Sequence, residues 1–68
     1  MIKFEIDSSK EGVEIYLDNQ GIDEFVKYLT YIKKEAEHMH LIAGNELSED
    51  PSQNDGTNVK HVKLIFVD

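Results

Sequence analysis

The three histidines are the residues of this chain best suited to chemistry, and their spacing says how they are arranged. His38 and His40 flank Met39 and precede Leu41, while His61 and Lys63 alternate with Val62, Leu64 and Phe66. Successive side chains of a strand point to opposite faces. His38 and His40 therefore share one face and Met39 and Leu41 the other, and His61 and Lys63 fall opposite Val62, Leu64 and Phe66. If the two segments belong to one sheet, all three imidazoles lie on its non-core face. Register then decides whether His40 stands near His61 or beside Lys63. Three converging imidazoles with an open position would suit zinc or another late first-row divalent ion, with Glu5, Glu14 or Asp18 as a further donor. Solvent-exposed imidazoles also need no ligand, and in a protein interface they would make affinity change near about pH 6 to 7.

Other chemistry is sparse. The absence of cysteine excludes thiolate metal sites and disulfides. There is no nucleophile elbow, phosphate loop or His-Glu-x-x-His, and Ser8, Ser9, Ser48 and Ser52 sit in turn segments away from histidine in sequence. The carboxylate pairs Asp23-Glu24 and Glu49-Asp50 are explained by a first helical turn and by a loop. We expect neither catalysis nor a cofactor. Tyr16 falls on the polar face of a strand, and Tyr28 and Tyr31 lie off the apolar stripe of a helix. Such tyrosines serve either as core-edge residues with a wet hydroxyl or as interface anchors.

The positioning elements follow from periodicity. Ile2, Phe4 and Ile6 alternate with polar residues, as do Val13, Ile15 and Leu17, with Ser8–Gly12 as the turn between them: a β-hairpin. Asp18-Asn19 offers a helix N-cap, Asp23 and Glu24 are expected in the first turn, and Lys33 and Lys34 in the last. Ile22, Phe25, Val26, Leu29, Ile32 and Ala36 form one stripe of a helix of about 16 residues, roughly 24 Å long. A third strand covers about His38 to Ile42. Residues 43–57 lack periodicity, and loops of that length are usually functional or disordered. The fourth strand is expected over Asn58 to Val67. The resulting fold class is α+β: ββαββ, a four-stranded mixed sheet with one helix packed on one face. Orders 2-1-4-3 and 1-2-3-4 both satisfy the connections, and 2-1-4-3 leaves the polar second and third strands at the edges.

Residues 1–68 read as a single domain, one small enough to bury only about 60% of its unfolded surface. The balance of 14 acidic against 7 basic residues gives a net charge of −7, and every cation is lysine. That argues against nucleic acid as a partner and favours encounter with a basic protein. No apolar run approaches the length of a membrane span, and the start of the chain lacks the features of a signal peptide. A cytoplasmic protein is expected.

The segments Ile15-Tyr16-Leu17-Asp18 leading into Gly21-Ile22, the helix with Phe25 and Leu29, His38-Met39-His40-Leu41 and the closing strand around Leu64-Ile65 resemble immunity protein family thirty-two of polymorphic toxin systems. The His-x-His-Leu after the helix is the distinctive motif. The resemblance implies a stoichiometric binder that neutralises a toxin domain without enzymatic activity, with His38 and His40 at the matching positions. The candidate partner-binding set is the exposed sheet face, Tyr16, His38, His40, His61 and Lys63, plus the acidic loop, Glu46, Glu49, Asp50 and Asp55. Two other readings stand beside it: a small metal-binding regulatory protein using His38, His40 and His61, and a structural or adaptor homodimer pairing through edge strands.

Overall fold

The computed structural model describes residues 1–49 and 57–68. In chain order these form β1 (Ile2–Ile6), β2 (Val13–Leu17), α1 (Asn19–Lys34), β3 (His38–Ile42), β4 (Thr57–Asn58) and β5 (His61–Ile65). The expected α+β class holds, with one helix and antiparallel sheets.

β1 and β2 form the expected hairpin. Its turn is tied by Lys10 N–H to the Asp7 carbonyl at 2.9 Å and by Asp7 N–H to the Gly12 carbonyl at 3.0 Å. Lys10 takes the left-handed conformation, φ 63°. Register pairs Ile2 with Leu17, Phe4 with Ile15 and Ile6 with Val13, which assembles one apolar face. Lys3 opposite Tyr16 and Glu5 opposite Glu14 make the other.

Asp18 caps α1, its carboxylate accepting from Gly21 N–H at 2.7 Å. The same carboxylate pairs with the N-terminal ammonium of Met1. The helix begins at Asn19, so Asp23 and Glu24 lie beyond its first turn, contrary to expectation, while Lys33 and Lys34 do occupy its last. The expected apolar stripe is also rotated. Gly21 and Ile32 are buried, Phe25 and Tyr28 pack against the core, and Ile22, Val26 and Leu29 are exposed. Gly21 supplies the reason: a Cβ at that position would overlap the Met1 carbonyl. That close approach fixes the row Gly21, Phe25, Tyr28, Ile32 against the sheet, because residues at this spacing share a helix face.

Strands pair in two sheets, in the orders β2-β1-β4 and β3-β5, and every ladder is antiparallel. The single mixed sheet expected from sequence is not what forms. The expected fourth strand divides between the two sheets: Thr57 and Asn58 pair with β1, and Val59 N–H extends that ladder to the Phe4 carbonyl at 3.0 Å. The Lys60 carbonyl then accepts from Ala43 N–H at 2.9 Å, and His61–Ile65 pairs with β3. The connection after β3 is also no simple reversal. The chain turns over Ile42 to Leu47 and reaches β1, where Ser48 N–H donates to the Ile2 carbonyl at 2.8 Å.

The core consists of Ile2, Phe4, Leu41 and Leu47, with Leu17, Phe25, Tyr28, Met39, Val59, Val62 and Leu64 packed around it. Phe4 and Phe25 meet edge to face, ring centroids 6.2 Å apart. Leu47 comes from the aperiodic segment, so its burial was not visible from pattern.

Candidate functional site

The β3–β5 ladder places the histidines as their alternation predicts. Met39 faces Leu64 and Leu41 faces Val62 on the core side, while His38 faces Ile65, His40 faces Lys63 and Ile42 faces His61 on the outer side. His40 also meets His61 on the diagonal. His40 Nδ1 and His61 Nε2 are 2.6 Å apart, one nitrogen donating and the other accepting according to tautomer. Their rings lie 23° from parallel with centroids 4.9 Å apart, meeting through those two nitrogens, and His38 abuts His40 edge to face at 5.3 Å. The imidazole of His40 is held below its ordinary pKa, first by shielding from solvent and then by the neighbouring His61, His38 and Lys63. Each of these disfavours a further positive charge on the ring. Among the described residues, no group of three or more His, Cys, Asp or Glu is placed to hold a metal ion.

The rest of the candidate set is dispersed. Tyr16 is exposed on the outer side of the other sheet, its hydroxyl donating to Glu14 Oε1 at 3.0 Å and the ammonium of Lys3 lying 5.5 Å from its ring centre. Beside Tyr16 the outer face of β1 is covered. Lys3 and Glu5 are 6% and 1% exposed and form an ion pair at 3.1 Å. The outer face expected to be open from sequence is thus closed at β1, and Tyr16 and the histidines lie on different sheets.

Glu46 is engaged locally: its Oε1 accepts from Ile42 N–H at 3.0 Å and closes the turn after β3. It therefore serves as a turn residue as well as carrying a negative charge. Glu49 is exposed, with its carboxylate over Gly44, which takes φ 87°. Asp50 and Asp55 lie outside the described residues.

Sequence reasoning missed a second surface. Val13 and Ile15 on the edge strand β2 are 60% and 49% exposed, and Ile22, Val26 and Leu29 on α1 are exposed as well. Burial, followed by the negative charges of Glu24 and Glu46, raises the pKa of the Tyr28 phenol. The available signal was surplus: two apolar strand rows and a six-residue helix stripe exceed what one helix can cover. A hollow of about 500 Å³ lies apart from both surfaces, at the C-terminal end of α1, lined by Ile32, Lys33, Ala36 and Phe66 among others.

Compared with protein-family models, curated proteins and solved structures, the chain has no significant match. Among the described residues no helix is long and apolar enough to cross a membrane.

Proposed function

We propose that this protein is an immunity protein that binds a polymorphic toxin domain in the cytoplasm and occludes its active surface without covalent chemistry. The observation that carries the reading is exposed aliphatic surface: Val13 and Ile15 on the edge strand β2, and Ile22, Val26 and Leu29 on α1, remain accessible, while few of the described residues are fully buried. Contiguous exposed apolar surface on a soluble domain marks a protein-binding site. An edge strand adds unpaired backbone groups that a partner can extend. The net charge of −7 favours a basic partner, because opposite charge accelerates encounter. The family resemblance carried by His38-Met39-His40-Leu41 selects immunity from among binding functions.

In this mechanism the acidic surface, including Glu49, steers a cationic toxin, and Tyr16 with the His38, His40, His61 and Lys63 face supplies polar contacts. Glu46 also holds the turn after β3. The test is a binding isotherm against the C-terminal toxin domain of the large secreted protein encoded beside this gene. A nanomolar one-to-one complex that abolishes toxicity is the expected result. No binding at micromolar concentration overturns the proposal. Sedimentation across a concentration series separates it from a homodimer built on the same edge.

A further inference from the structure

We propose that the His40–His61 pair is a two-imidazole binding site for a late first-row divalent cation, zinc or copper. The inference does not depend on the toxin reading. Two imidazole nitrogens from different strands, Nδ1 of His40 and Nε2 of His61, are aimed at one another at 2.6 Å. A coordinated cation takes the place of the hydrogen bond's proton, displaced to one side of the line between the two nitrogens. Metal–nitrogen bonds of about 2.0 to 2.1 Å at a tetrahedral centre need the nitrogens roughly 3.3 Å apart. The two rings therefore have to separate by less than an ångström. Both rings are exposed and their strands are hydrogen-bonded in fixed register, so side-chain rotation supplies the movement.

Each neutral ring keeps its own N–H on the outward nitrogen and offers the inward lone pair. The shared proton moves to an outer nitrogen through solvent, and the neutral pair releases none. His38 lies one alternate strand position from His40 and packs edge-on against its ring, supporting the pair without completing a three-residue metal group among the described residues. Water completes the coordination. Nitrogen donors select zinc, copper or nickel over magnesium and calcium, which prefer oxygen. Lys63 faces His40 across the ladder and opposes the cation electrostatically, so the site is weak and tunable.

The experiment is calorimetric titration of the intact chain with zinc chloride at neutral pH, with magnesium chloride as the comparison. One equivalent of zinc binds in the micromolar range, and magnesium gives no saturable heat. His40→Ala and His61→Ala each weaken zinc by roughly tenfold or more, about 1.4 kcal/mol per factor of ten, and His38→Ala by less. Lys63→Glu tightens it, an outcome that a purely structural histidine pair does not produce. The exposed positions of these residues keep the variants folded, which far-ultraviolet circular dichroism verifies. Absence of saturable zinc binding at micromolar concentration, or binding undiminished in the His40→Ala/His61→Ala double variant, overturns the proposal.

Discussion

At the scale of single residues, His40 and Gly21 are the positions whose environments differ most from a generic surface or helix site. His40 contacts two imidazoles and faces a lysine. Its folded pKa lies below the unfolded value of about 6.5, so the unfolded chain binds more protons between the two values. Its contribution therefore lowers stability as pH falls through about 6.5 and levels off below the folded pKa. Denaturant midpoints measured across this range should show the dependence, and His40→Gln should flatten it. The imidazole resonances should report His40 titrating low in the native chain and nearer its ordinary value in His61→Ala. Gly21→Ala tests the close approach to Met1. Overpacking of about 1 to 3 kcal/mol is expected, read as a drop in Tm, although alanine is the better helix former in isolation.

At the scale of elements, the helix and its cap carry the contrast between pattern and packing. Ile22, Val26 and Leu29 match the apolar periodicity as well as Phe25 and Ile32 do, yet only the second group meets the sheet. Val26→Ser should change stability by no more than about 0.5 kcal/mol, as expected of an exposed site. Leu41→Ala removes a fully buried side chain and should cost about 2 to 5 kcal/mol, enough to unfold a domain of this size. Urea titration of both variants makes the comparison. If Val26→Ser proved as damaging as Leu41→Ala, the rotational setting of the helix described above would be wrong. The element boundaries of the helix, of β1 and β2 and of β3 were legible because each has a clear period. The division of the last strand was not, because Asn58 to Val67 reads as one extended run and nothing local marks where its hydrogen-bond partner changes.

At the scale of the whole molecule, charge and exposed apolar surface together determine what partners the chain admits. With a net charge of −7, association with a basic partner should slow as salt rises. Glu49→Lys should reduce both the association rate and its salt dependence, whereas Val26→Ser should chiefly raise the dissociation rate. Stopped-flow association at two ionic strengths with the toxin domain distinguishes these effects. An association rate insensitive to salt in the unaltered chain would remove steering from the mechanism. Glu46→Ala is informative in a different way. Its carboxylate holds the turn after β3, so its replacement should alter stability more than association.

The sequence by itself determined the alternation that puts the histidines opposite Met39, Leu41, Val62 and Leu64, the hairpin, the capped helix and the acidic balance. These depend on backbone geometry and on neighbours within a few residues, which a sequence records directly. Tertiary structure decided that His40 meets His61, that Lys3 and Glu5 are covered, that Leu47 joins the core and that one flank of the helix stays exposed. It also decided that the strands form two antiparallel sheets. Each of those outcomes depends on which distant backbone supplies the next hydrogen bond. That choice is set by the Met1–Gly21 approach and by the path of the chain from Ile42 through Ser48 to β1. Local periodicity fixes which way a side chain points, whereas only the assembled chain fixes what it points at.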